Sequence, residues 1–127
     1  MYRVNALLGK KIVHDATGEE VGQIGGVVFD EPCQRVLALL VDHGLLSKRR
    51  VLRWPSVDGI SDVVVTCAPV PLPAAQDAAE VAKLAWQETP VTDMLVISAA
   101  GERIGTVSNM FIDRNGTLTD MMLSRAG

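Results

Sequence analysis

Apolar residues along this chain fall in short runs separated by Gly, Asp and Asn clusters, not at helical spacing. Ile12-Val13, Val21, Ile24, Val28, the run 36–41, Val51-Leu52 and Val63-Val64-Val65 are followed, after a long gap, by Leu95-Val96 and Met121-Met122-Leu123. Runs of this length, rich in β-branched residues and bounded by turn formers, read as strands. The run Val36-Leu37-Ala38-Leu39-Leu40-Val41 lacks alternation, which predicts a strand buried on both faces. A loop over 42–50, a strand over 50–54, a break at Pro55 and a last strand over 63–66 complete this first part. Pro55-Ser56-Val57-Asp58-Gly59 reads as a turn.

The pattern repeats. Gly18-Glu19-Glu20-Val21-Gly22-Gln23-Ile24 returns as Gly101-Glu102-Arg103-Ile104-Gly105-Thr106-Val107, and the same spacing pairs Asp30 with Asp113 and Ile12-Val13 with Leu95-Val96. One deleted residue then sets Leu39-Leu40-Val41 opposite Met121-Met122-Leu123. Each copy has the order of a β-meander, with a glycine-bearing turn at Gly18 or Gly101 and an Asn115-Gly116 hairpin signal in the second. Gly22 and Gly105, inside strands, suit the bends a small barrel needs. Nothing in the second copy corresponds to residues 50–66, so it is an incomplete meander.

Between the copies, Ala68-Pro69-Val70-Pro71-Leu72-Pro73 reads as an extended, stiff linker, and residues 73–86 as a helix with Val81, Leu84 and Ala85 on one face. The predicted organisation is a β-barrel over 1–68, a proline-rich linker and helix over 69–90, and a partial repeat over 91–127. The fold class is mainly β.

Composition narrows the function. Of 127 residues, 48% are hydrophobic and only 4% aromatic, so the core rests on aliphatic side chains. A formal net charge of -3 argues against broad nucleic-acid binding. No apolar run approaches a bilayer span, and the first residues lack a signal-peptide pattern, so a cytoplasmic protein is expected, with room for a peripheral membrane contact. Cys33 and Cys67 have no metal or redox spacing; Cys67 reads as a buried small hydrophobe, Cys33 as an exposed thiol.

The elements Leu8-Gly9-Lys10-Lys11-Ile12-Val13, 18–24, Val27-Val28-Phe29-Asp30, 36–41 and Lys48-Arg49-Arg50-Val51-Leu52-Arg53-Trp54-Pro55, in this order, resemble the PRC-barrel family. The resemblance spans 7–67 well and 91–123 in part. It implies a small β-barrel used for binding or assembly, similar to the cytoplasmic domain of the photosynthetic reaction centre H subunit and to the C-terminal domain of the 16S ribosomal RNA maturation factor. It implies no catalytic residue set.

The residues themselves point the same way. Lys48, Arg49, Arg50 and Arg53 are the concentrated positive charge and could meet an anionic partner, although a solvated hairpin loop is the simpler reading. His14 and His43 lack convergent ligands, and Gly22, Gly25 and Gly26 match no phosphate-binding spacing, so no enzyme activity, cofactor or metal is expected. Asp30 and Asp113 suit hydrogen bonds to local amides.

Trp54 is assigned to the core and Trp86 to a contact surface. The incomplete meander would leave open edges, which either the barrel of its own chain or the second copy of another chain could cover; because the stiff linker holds the copies apart, a homodimer is expected, with Met110, Ile112, Met121 and Leu123 at or beside the interface. The expected role is a non-enzymatic module acting on itself and on an unidentified protein. An RNA-linked, ribosome-maturation-type adaptor and an assembly factor for a photosynthetic or electron-transport complex are the alternatives.

Overall fold

A computed structural model describes residues 1–30, 34–44, 48–78 and 95–125. Among these residues ten strands form two sheets: β1 (Tyr2–Arg3), β2 (Lys11–His14), β3 (Glu20–Phe29), β4 (Val36–Asp42), β5 (Arg50–Arg53), β6 (Val57–Ile60), β7 (Val64–Thr66), β8 (Leu95–Ile97), β9 (Arg103–Ile112) and β10 (Leu118–Arg125). A one-turn helix, α1 (Val4–Leu7), follows β1. The first sheet has the order β5-β4-β3-β2-β7-β6, antiparallel except for the parallel β2–β7 pair. In the second sheet β9 is central, with β10 along one edge and both β1 and β8 along the other.

The meander expected over 11–42 is present. His14 to Glu19 closes the first turn, with Gly18 at φ +69° and its N–H donating to the His14 carbonyl at 2.9 Å. β3 alternates, burying Gly22, Ile24, Gly26 and Val28. β4, paired on its edges with β3 and β5, is buried on both faces because a side-chain cluster packs on each. Leu39 and Val41 belong to the main core with Ile12, Ile24, Leu52 and Val64, while Ala38 and Leu40 form a second cluster with Val28, Val51 and Ala78.

Several expectations need correction. Neither sheet closes into a barrel: β5 and β6 end the six-stranded sheet with no pairing between them. Residues expected to be only a turn after Pro55 form a 3-10 turn, Trp54–Ser56, followed by β6. In the run Val63-Val64-Val65 it is Val64 that is fully buried, because its register against Ile12 turns it inward and leaves Val65 on the other face. Val21 is half-buried because Gly22 takes the inward position beside it.

The proline-rich segment is no free spacer. Ala68 and Leu72 are buried in the main core, Pro73 accepts from the Val51 N–H at 2.9 Å, and the Ala75 N–H donates to Arg49 at 2.9 Å. Residues 73–78 are not α-helical; Ala75–Asp77 is a 3-10 turn, and the rest of the predicted helix, Trp86 included, lies outside the described residues.

The two sheets share one core. Val107, Met110 and Ile112 of β9 pack with Leu7, Ile24, Leu39 and Trp54. β1 supplies the tie, pairing Tyr2 with Ile112 and Arg3 with Phe111, and the Arg3 guanidinium lies 5.7 Å from the Phe111 ring centroid. Met110 and Ile112 are therefore internal residues, 1% and 0% exposed, and not the interface residues anticipated. The expected separation of the copies fails for the same reason. The apolar face of the second sheet is covered by the first sheet of the same chain.

Leu39 is fully buried at the centre of this core. Leu39→Ala is expected to cost about 2–5 kcal/mol, the usual range for a large-to-small core change, and urea denaturation measures it. A shared core also predicts one cooperative transition for both sheets, read by amide exchange at Leu40 and at Met110.

Candidate interaction surface

The joint between the sheets begins at Trp54, placed by the 3-10 turn that Pro55 helps to start. Its indole Nε1 donates to the Arg114 carbonyl at 3.3 Å, across from the turn joining β9 to β10. That turn is held by Asp113, whose Oδ1 accepts from the N–H groups of Asn115 (2.9 Å) and Thr117 (3.0 Å). Asp30 does the same after β3, accepting from Gln34 and Arg35. Gly116 lies against the indole: a Cβ there would come within 2.7 Å of Nε1, and its φ is +79°. Both the ring and the backbone conformation thus require glycine. The Gly116 carbonyl accepts from Val36 N–H and the Gln34 carbonyl from Leu118 N–H, each at 2.8 Å, stitching the starts of β4 and β10 together.

Beyond that stitch, β10 has no strand on its outer edge among the described residues. Seven of its eight residues are exposed. Met121, Met122 and Leu123 are 44%, 49% and 42% exposed. Met121 stands opposite Met110 and Leu123 opposite Val107 in the β9–β10 register, so both lie on the core side of the sheet, past the point where the core covers it. Ile97 and Ile104 are exposed on the same sheet. Of the anticipated interface residues, Met121 and Leu123 are therefore on an accessible edge. Met122, exposed beside them, is not among the residues expected from the sequence, although the apolar run Met121-Met122-Leu123 is a signal that could have found it.

The basic residues form no comparable surface. Arg49 pairs with Asp42, Nε to Oδ1 at 3.0 Å, and donates to the Gly25 carbonyl at 3.3 Å. Arg50 donates to the Leu72 carbonyl at 2.5 Å. Arg53 is exposed at the end of β5 beside Ala38, and Lys48 is exposed in the preceding loop. Two of the four cations are thus spent on fastening the loop and the proline-rich segment to the first sheet.

Other candidates stay apart. His14 Nδ1 accepts from the Ala16 N–H at 3.2 Å within its turn, and His43 is exposed on the far side of β4. Among the described residues no group of three or more His, Cys, Asp or Glu could hold a metal ion, and no helix is long and apolar enough to cross a membrane. An open pocket of about 300 Å³ beside α1 is lined by Tyr2, Arg3, Ala6, Leu7, Lys10 and Ile60 among others, with Lys10 Nζ held by the Ser61 carbonyl at 2.6 Å. It brings cations and apolar groups together but no acid–base pair. Cys33 lies outside the described residues. Cys67, expected to be buried, is exposed, because Thr66 takes the inward position.

The PRC-barrel domain model matches residues 1–69, more than half of the chain. The chain belongs to the PRC-barrel family. Among curated proteins, none matches it. The matched PRC segment contains β1 through β7 and Trp54, so the second sheet is built onto a PRC-barrel domain that also lends it a strand.

Two measurements test this description. Gly116→Ala is expected to destabilise by about 3 kcal/mol or more, because the clash with the indole adds to the roughly 1–3 kcal/mol of forcing a side chain into a left-handed backbone. Gly101→Ala, at φ +86° with nothing within 4 Å, should cost less, since it meets no ring. The second concerns Cys67, whose hydrogen bond to Asp58 Oδ1 (3.7 Å) and the nearby carboxylate charge raise its pKa. Thiolate formation therefore moves to higher pH. In a Cys33→Ser background, alkylation should lag a free cysteine at neutral pH, and Asp58→Asn should accelerate it.

Proposed function

We propose that this PRC-barrel protein is a non-enzymatic contact module of the cytosol that holds protein chains along the open edge of β10. The observation that carries this is an edge strand exposed on seven of eight residues, with three consecutive large apolar side chains each more than two-fifths exposed. Proteins normally blunt or cover such an edge, because it presents unpaired backbone groups beside an apolar strip.

The reading gains from taking the second sheet as a partial second copy of the PRC meander. β3 and β9 are both ten residues long and stand 83 positions apart. A Cβ on Gly22 would collide with the Asp42 carbonyl and one on Gly105 with the Ser124 carbonyl, so each glycine lets the third strand cross closely at an equivalent place. In the first copy, Leu39, Leu40 and Val41 are covered by a fourth strand, β5, through the pairs Leu39–Leu52, Leu40–Val51 and Val41–Arg50. The second copy has Met121, Met122 and Leu123 at those places and no fourth strand among the described residues. The place of that strand is the proposed docking position. An anionic partner such as RNA finds less support, since Arg49 and Arg50 are engaged within the chain.

Photo-crosslinking from Met121→p-benzoylphenylalanine in an extract of the native host tests the reading. Discrete protein adducts are expected, in excess of those from the same group at exposed Gln76. Equal, diffuse labelling from both positions would overturn it.

A further inference from the structure

We infer that the strand filling this place is β10 of a second copy, paired antiparallel about a two-fold axis through Met122; the inference rests on β10 being the contact edge. The edge is its own complement in one register only. Met121 and Leu123 share the core side of the sheet and Met122 the other. A two-fold axis perpendicular to the sheet keeps core side against core side only when paired residues have the same parity. With the axis on Met122, Met121 meets Leu123 of the second copy, Leu123 meets its Met121, and Met122 meets Met122, so every apolar residue faces another.

Moving the axis to Met121 sets Met122 against Asp120. Moving it to Leu123 sets Met121 against Arg125 and Met122 against Ser124. Both bury a charge or strand an apolar side chain. Charge favours the antiparallel sense as well. Asp120 and Arg125 stand at opposite ends of the exposed stretch, so antiparallel copies bring unlike ends together, whereas parallel copies would set Asp120 beside Asp120. The two four-stranded sheets then run on as one, and the apolar strip left uncovered under each β10 becomes continuous across the axis.

Light scattering behind a sizing column, on the full chain at micromolar concentration, is expected to give twice the monomer mass. In a Cys33→Ser, Cys67→Ser background, Met122→Cys should oxidise to a disulfide-linked dimer, since directly opposed residues of an antiparallel pair lie about 4.5–5.5 Å apart at Cα, within disulfide reach. Asp120→Cys should not, because its two copies would be about 14 Å apart along the strands. Met122→Lys, with its circular dichroism unchanged, should abolish the dimer at the same concentration.

A monomer mass for the wild-type chain overturns the inference, as does disulfide formation at Asp120→Cys equal to that at Met122→Cys. Should Met122→Lys fail to fold, the cysteine pair still decides. A monomer that nonetheless gives discrete adducts from position 121 in extract would sink self-pairing alone and leave the contact reading standing.

Discussion

The packing of Trp54 on the Gly116 turn, together with the pairing of β1 to β9, makes two sheets into one molecule. The indole spans the distance between the 3-10 turn after β5 and the hairpin between β9 and β10, donating its one hydrogen bond to the Arg114 carbonyl and its face to a residue without a side chain. From that contact follow the two backbone bonds that join β4 to β10, and the burial of Met110 and Ile112 beneath the first sheet. In a chain with so few aromatic residues, the indole brings to this joint a large apolar area with a polar tip that finds its partner.

Satisfaction is complete elsewhere in the interior. Thr66, fully buried, donates to the Ser56 carbonyl at 2.7 Å and accepts from Ala68 N–H at 3.0 Å, and no buried side-chain nitrogen or oxygen among the described residues lacks a partner. This matters because an unpaired buried polar atom costs about 1–3 kcal/mol, as much as a large aliphatic side chain contributes by burial. The exposed apolar edge at β10 thus stands out against an otherwise well-settled molecule.

The strands and the family were legible in the sequence because both rest on local signals. Alternation in 20–29, the unbroken run 36–41 and the glycines at the turns each depend on neighbours a few residues away. What was not legible depends on register and on distance. Whether Val64 or Val65 faces inward, and hence whether Cys67 is exposed, follows from how β7 aligns with β2, some fifty residues earlier. The stiff look of the proline-rich segment said nothing about Leu72 entering the core. The doublet Asn115-Gly116 announced a hairpin but not the indole lying on it. The basic run read as surface charge, while Arg49 and Arg50 turned out to fasten the chain to itself. Open edges were foreseen for the incomplete meander. The sequence places Met110 and Ile112 at or beside an interface, and not in the core, because nothing local to them points back to residues 2 and 3.

That pairing of β1 with β9 has a temporal side. Tyr2 and Arg3 find their places only against Ile112 and Phe111, so they must wait for partners made more than a hundred residues after them. Until β9 is made, Val4 and Leu7 lack part of the surface that buries them, and closing so long a loop carries an entropic cost with no nearby contact to offset it. Such a topology has high contact order and folds late. Until then the chain carries an uncommitted β1 and an unpaired β9 edge, the kind of exposed edge through which incompletely folded chains exchange strands.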